Sequence, residues 1–387
     1  MASLGTGCNI TSENFMALTI SEYEERIAPT DRLTAENLSP VLLGLFGEVG
    51  SIMATSKKLH REGEAFIAYL DAVEEEFGDA LWYLCALCRR VEEPLDQIIS
   101  DACNGEDTIS LTVASLHLAA PVAKVQKFQN LEVIDVLLKE LGIKAADLLN
   151  AEVGQVGLRE QIVDFTAAYL KAVQASNVPF GKVVRSNLDK ATGRFIAADQ
   201  STLPRFDEKF SDDESLPDKF EIEIQERPNG KSYLRWKGVF IGDPLTDNIG
   251  DPDGYRFHDV FHFSHAAILH WSPTFRALIK HKRKSRPDVD EAQDSGRAIV
   301  IEEGLSAYIF SCAKELNFFE EQSTISFDIL KTVSHFVRGY EVEQCPLYLW
   351  EKAILQGYEV FRKIKKNNGG LVVCDKVKRE ISYRALL

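Results

Sequence analysis

The chain has 387 residues, 45% of them hydrophobic, and its 44 Lys and Arg against 59 Asp and Glu leave a net charge of −15. That apolar fraction is enough to pack the cores of about two domains, and the acidity argues against nonspecific capture of nucleic acid, which needs clustered Lys and Arg. No stretch reaches the roughly twenty apolar residues that span a bilayer, and seven cysteines, an odd number without a secretory leader or disulfide framework, point to a reducing cytoplasm.

Residues 1–16, MASLGTGCNITSENFM, have neither the charged nor the apolar part of a signal peptide and read as a flexible N-terminus. The next informative runs are GLFGEVGSIMATSKKLHR and VEEEFGDALWYLCALC, both with helical periodicity. Residues three or four apart on a helix point the same way, with β-carbons about 5–6 Å apart. Glu76 and Asp79 therefore aim two carboxylates at one divalent ion, and Glu48 on the preceding helix supplies a third. Val73, Phe77, Ala80, Leu84, Leu87 and Cys88 form one apolar face, which leaves Glu76 and Asp79 at its margin.

Acidic pairs at this spacing are more often solvated helix faces than metal sites, so the third carboxylate and the local context carry the reading. Gly44, Gly47 and Gly50 recur every three residues, each disfavoured in a helix by about 1 kcal/mol relative to Ala. Such a stripe predicts close approach by a neighbouring helix or a ligand. Ser51, Thr55 and Lys58 lie beside Glu48 on the same helix, which puts a cation one to two turns from the carboxylates. Cys85 and Cys88 form a C-x-x-C inside the second helix, but no second pair follows at zinc spacing, so core packing is their expected role.

Together with the Lys57–Lys58 pair and the later segment NLDKATGRF at 187–195, these runs resemble the MazG branch of the all-α nucleoside triphosphate pyrophosphohydrolases. The resemblance implies an all-α bundle that works as a homodimer and cleaves a nucleoside or deoxynucleoside triphosphate to monophosphate and pyrophosphate. It further implies magnesium, with manganese as an alternative, held by Glu48, Glu76 and Asp79, while Glu75 orients or deprotonates the attacking water. Lys57, Lys58, Arg61, Asn187, Lys190 and Arg194 would bind the substrate. The chain departs from the pattern at Ser51, where the family has a second Glu and a hydroxyl is a weaker ligand for a hard cation. About ninety residues separate the LWYL helix from Asn187, so a helical insertion is expected over about 101–180. LTVASLHLAAPVAKVQKF, LEVIDVLLKELG and REQIVDFTAAYLKAV are its periodic segments. The N-terminal domain then covers 17–198.

Residues 199–217 are polar, acidic, proline-containing and aperiodic, and read as an interdomain linker. The C-terminal domain, 218–387, opens with alternation: KFEIEIQER, a turn at Asn229 and Gly230, then KSYLRWKGVFIG, with GGLVVCDKVKREISY as a third strand. The expected fold class is thus mainly α, an all-α bundle with a helical insertion plus a C-terminal α+β domain with a small antiparallel sheet. Within the second domain, HDVFH and IEEG look like a degenerate copy of the first site. His258, Asp259 and His262 share a helix face and Glu302 or Glu303 completes a possible second metal site, although a histidine among aromatics is more often a packing group. Lys280, Lys282, Arg283, Lys284 and Arg286 are conspicuous in so acidic a chain, and Lys282, Arg283 and Lys284 are expected to face an anion. This region resembles a domain found behind MazG-like domains, which implies nothing about its activity. Two alternatives to the pyrophosphohydrolase follow: a nucleotide sensor or regulator weakened at Ser51, and a metallohydrolase working from the C-terminal domain.

Overall fold

The computed structural model describes residues 18–33, 37–103 and 131–386. The N-terminal segment 1–16 and the helix expected over 111–128 lie outside the described residues. The chain divides into two compact units, Met1–Ile196 and Ala197–Leu387. The described residues are mainly α, with a small antiparallel sheet in the second unit. No helix among them is long and apolar enough to cross a membrane.

The first unit is built from α1 (Ile20–Ile27), α2 (Ser39–Glu62), α3 (Tyr69–Arg90), α4 (Leu95–Cys103), α5 (Leu131–Leu148), α6 (Leu158–Ala175) and α7 (Phe180–Phe195). A capping box starts α1: the Thr19 hydroxyl accepts the Glu22 N–H while the Glu22 carboxylate accepts the Thr19 N–H. The long helices α2 and α3 run antiparallel, since Gly44 lies against Tyr83 and Glu48 lies beside Asp79. Their apolar stripes, Val41, Leu45, Val49 and Ile52 on one and Val73, Phe77, Leu81 and Leu84 on the other, are buried in one core. Each such side chain contributes about 1.5–3 kcal/mol by leaving water. Cys85 and Cys88 belong to the same core, where burial pushes the Cys85 thiol up to about 12 and Cys88 well above the ordinary thiol value. Neither is poised as a thiolate ligand. The described part of the expected insertion, α5 and α6, adds Leu141, Ile162, Phe165 and Tyr169 to that core, and the Tyr169 hydroxyl donates to the Phe77 carbonyl oxygen at 2.8 Å.

In the second unit, β1 (Lys219–Glu226), β2 (Ser232–Trp236), β3 (Val239–Leu245), β4 (Gly369–Asp375) and β5 (Glu380–Arg384) form an antiparallel sheet of order β3-β2-β1-β4-β5. The alternation in β1 puts Phe220, Ile222 and Ile224 into the core. The β2–β3 hairpin turns at Lys237 and Gly238, both left-handed at φ 48° and 80°, as a two-residue turn that matches strand twist requires. The closing segment supplies two strands rather than one: β4 pairs with β1, and β5 pairs with β4. Between β3 and β4 come α8 (Asp259–Ser264), a π-helical turn (His265–Leu269), α9 (Pro273–Ile279), α10 (Pro287–Val289), α11 (Gly296–Glu315), α12 (Phe327–Phe336) and α13 (Leu347–Asn367).

Two expectations are corrected here. Residues 199–217 are no linker: Leu203 and Leu216 are buried in the core of the second unit, Asp207 pairs with Arg276 and accepts the Leu216 N–H at 2.8 Å. Their acidity serves buried arginines instead of solvent. Nor does the second unit copy the α2–α3 pair. Its HDVFH helix has six residues before the π turn, against 24 in α2, and packs on α13.

Candidate functional site

Glu48 on α2 and Glu76 and Asp79 on α3 converge, with one carboxylate oxygen of each within 4.8 Å of the others. All three are half-buried, at the margin of the core where the apolar stripe of α3 ends. Like charges this close cannot all ionise cheaply. Burial, followed by the charges of Asp79 and Glu76, pushes the Glu48 carboxyl up to about 7.

The fourth contributor comes from α7. Lys190 Nζ lies 2.6 and 2.9 Å from the two Asp79 oxygens and 2.9 Å from Glu75 Oε1. Burial works against its charge, but Asp79 and then Glu75 hold its pKa above the ordinary lysine value. One turn earlier on α7, buried Asn187 donates to Asp79 at 3.3 Å and accepts from the Tyr23 hydroxyl at 2.7 Å, which fixes which end of the amide faces the carboxylates. Glu48, Glu75, Glu76, Asp79, Asn187 and Lys190 are thus brought together.

Other expected substrate contacts are not. Lys58 is ten residues from Glu48, about 15 Å along a helix rising 1.5 Å per residue, and its ammonium sits over the Phe66 ring at 4.2 Å. Lys57 is exposed, and Arg61, farther still, pairs with Glu62 at 2.6 Å. Arg194 lies one turn beyond Lys190 with its guanidinium over Phe195 at 5.1 Å. Ser51 is half-buried one turn after Glu48. Two participants escaped sequence reasoning. Tyr23 anchors Asn187, and Tyr83 fills the space left by Gly44, its hydroxyl kept protonated first by burial and then by Glu48 and Asp79. Gly44 was the available signal for Tyr83. Gly47 and Gly50, by contrast, have nothing among the described residues within 4 Å of where a Cβ would stand, so close approach by those residues explains one glycine of the three.

The second cluster assembles around α8 and α11. His262 is fully buried, with Nδ1 3.1 Å from Glu302 Oε1 and Nε2 3.2 Å from Glu303 Oε1. His258 Nε2 lies 3.4 Å from Glu303 Oε2, and Asp259 is buried alongside, its carboxyl raised by burial. His265 lies 3.0 Å through Nδ1 from Glu302 Oε1. Glu302 Oε2 accepts from the Ser272 hydroxyl and the Thr274 N–H. Burial opposes the Glu302 charge, yet His262 and the surrounding hydrogen bonds bring its carboxyl down to about 2, and His258 and His262 depress Glu303 likewise.

The basic run does not face an anion as a group. Arg283 is buried, its guanidinium bonded to Asp294 at 2.7 and 3.0 Å, to Glu341 at 2.6 and 3.1 Å and to the Phe206 carbonyl. It is a structural crosslink, while Lys280, Lys284 and Arg286 are exposed and Lys282 is half-buried. Arg286 pairs with Asp288.

No curated protein and no solved structure matches the chain. Residues 201–386, which span the second unit and its His–Glu cluster, match the family model of the MazG C-terminal domain, and this match supports a MazG-related protein.

Proposed function

We propose that the first unit is a magnesium-dependent nucleoside triphosphate pyrophosphohydrolase, converting a (d)NTP and water to (d)NMP and pyrophosphate. The observation that carries the reading is the carboxylate cluster itself. Three half-buried carboxyls within 4.8 Å, one of them raised to about 7 by burial and then by the charges of Asp79 and Glu76, form an all-oxygen donor set with more negative charge than it holds comfortably, which suits a hard divalent cation. Glu48, Glu76 and Asp79 would hold the ion. When bound, magnesium or manganese lowers the pKa of a coordinated water and neutralises charge on the attacked phosphate. Glu75, beside Lys190, accepts or orients the water proton. Lys190 on α7 binds phosphate oxygens, and Asn187 holds Asp79 in register through Tyr23.

A second copy of the chain is part of this proposal. Leu43, Phe46, Gly47 and Gly50 follow i, i+3, i+4, i+7 spacing on α2 and are all exposed, beginning one turn before Glu48. An exposed stripe of apolar and small residues on a helix suits an isologous helix–helix contact. Light scattering on purified protein should give twice the chain mass, and a strict monomer at micromolar concentration removes the dimer from the reading. For the activity, a panel of triphosphates is incubated with magnesium, manganese or chelator, and the products are separated. Monophosphate with pyrophosphate, absent under chelator, is expected. Diphosphate with inorganic phosphate, or no turnover of any nucleotide, would refute it.

A further inference from the structure

Beyond the proposed hydrolase site, we infer that the second unit holds a transition-metal ion on His258, His262 and Glu303, with Glu302 and His265 as the residues that position His262.

The two histidines present the same edge. His258 Nδ1 lies 2.9 Å from the Tyr255 carbonyl oxygen, which can only accept, so Nδ1 carries a proton and in the neutral imidazole Nε2 is the nitrogen with the lone pair. His262 Nδ1 faces the Glu302 carboxylate at 3.1 Å, which favours a proton there too and leaves Nε2 as the donor atom. Both Nε2 atoms then converge on one carboxylate, at 3.4 Å from Glu303 Oε2 and 3.2 Å from Glu303 Oε1. Ligands about 2.0–2.2 Å from a tetrahedral ion stand about 3.3 Å apart, so these separations already suit such an ion.

A second, independent observation comes from His262 itself. Its side chain is wholly buried, and neither ring nitrogen has a hydrogen-bond partner in line with it, although carboxylate oxygens lie close by. A buried imidazole usually finds aligned partners for both nitrogens. An ion between Nε2 and Glu303 would supply the partner that Nε2 lacks, while Nδ1 faces Glu302.

The shell behind the ligands has the form metal-binding histidines require. Glu302 is fixed by the Ser272 hydroxyl, the Thr274 N–H and His265 Nδ1, so its remaining interaction is with His262. Nothing comparable restrains Glu303, whose side chain is 37% exposed and opens the site to solvent. Two imidazoles and one carboxylate, with further positions free, select a borderline first-row ion of the zinc, cobalt or iron class over magnesium. His258 and His262 are one helical turn apart at the start of α8, and Glu303 comes from α11, so no flexible loop supplies a ligand.

The test uses the full chain, freed of metal by chelator and titrated with Co²⁺ and Zn²⁺ in millimolar excess magnesium, which occupies hard carboxylate sites. The expected result is one cobalt ion per chain with the visible absorption of a low-coordinate nitrogen–oxygen site, displaced by zinc. His258→Ala and Glu303→Gln, both at the accessible edge, should each weaken zinc at least about tenfold with an unchanged melting curve in the metal-free state. Asp79→Asn should leave cobalt binding as it was. Failure to retain any ion through desalting would overturn the assignment. So would a cobalt spectrum that survives in both His258→Ala and Glu303→Gln, or one that disappears in Asp79→Asn.

Discussion

Each unit gathers carboxylates at one site, Glu48 with Glu76 and Asp79 from two helices in the first and the adjacent Glu302 and Glu303 of α11 in the second, yet the two clusters meet their negative charge differently. Around Glu48, Glu76 and Asp79 the cation is Lys190, carried on a flexible stem from α7, and it bonds Asp79 and Glu75 while Glu48 surrenders its charge near neutrality. Around Glu302 and Glu303 the neighbours are imidazoles, a hydroxyl and a backbone N–H, and both carboxyls are held below the ordinary range. Glu302, whose donors are built into the fold, is part of its stability, whereas the first cluster, left with excess charge, and the open Glu303 edge of the second draw their partner from solution. That difference can be broken or sharpened by four measurements.

The largest effect should come from removing the best-satisfied carboxylate. Glu302 is inaccessible to solvent and accepts from His265, Ser272 and Thr274, so Glu302→Ala leaves buried polar groups unpaired and should cost about 3–5 kcal/mol in denaturant unfolding. Glu76→Ala, at the half-buried margin of the first cluster, should change stability by no more than about 1 kcal/mol. Equal losses in the two variants would erase the distinction.

The same contrast reverses for turnover. Asp79→Asn or Glu76→Gln deletes one ligand charge with little change of shape, and pyrophosphate release should fall at least about a hundredfold while the melting temperature barely moves. Retained turnover in both would end the pyrophosphohydrolase reading. A parallel fall in melting temperature would mean that this cluster, too, is structural.

The third measurement reads the excess charge as a pH dependence. Glu48 ionises near 7 in the folded protein against an ordinary 4.5, so the folded state binds that proton more tightly than the unfolded one. Stability of chelated protein should therefore fall as pH rises from about 4.5 through about 7, then level off. At about 1.4 kcal/mol per pKa unit the full shift is worth about 3.5 kcal/mol, and solvent screening of the half-buried Glu48 reduces the loss to about 2–3 kcal/mol. Magnesium should restore it above pH 7, and Glu48→Gln should flatten the slope. A slope unchanged in that variant would assign the effect elsewhere.

How much of this was legible beforehand depended on the range of the interaction. Glu76 and Asp79 were visible because helical spacing alone points them together, and β1 because Phe220, Ile222 and Ile224 alternate with charges. Lys190 and Asn187, more than a hundred residues from Asp79, were reachable only through resemblance to a family. Arg283 was misread for the same physical reason. Five cations in seven residues look solvated locally, and its partners Asp294 and Glu341 stand 11 and 58 residues away. The acidic segment 199–217 hid Leu203 and Leu216 and the Asp207 that pairs with Arg276. His265 keeps α-helical backbone angles and meets Glu302 as His262 does three residues earlier, but that partner stands 37 residues away.

The smallest effect separates the open from the filled side of α2 beside the first cluster. A Cβ at Gly44 would stand 2.1 Å from the Tyr83 ring, whereas one at Gly47 meets nothing among the described residues within 4 Å. Both substitutions gain helix propensity, about 1 kcal/mol for Gly→Ala. At Gly44 that gain is outweighed by overpacking of about 1–3 kcal/mol, and the displaced Tyr83 disturbs Glu48, so Gly44→Ala should lower both melting temperature and turnover. At Gly47 the gain stands alone in a monomer, and Gly47→Ala should raise the melting temperature by a few degrees. If a second copy covers Leu43, Phe46, Gly47 and Gly50, the added methyl instead meets the partner helix, and Gly47→Ala should shift light scattering toward monomer at a given concentration. Melting curves of the two variants at high and low protein concentration distinguish these outcomes. Identical behaviour of Gly44→Ala and Gly47→Ala at every concentration would show that the two sides of α2 beside Glu48 do not differ.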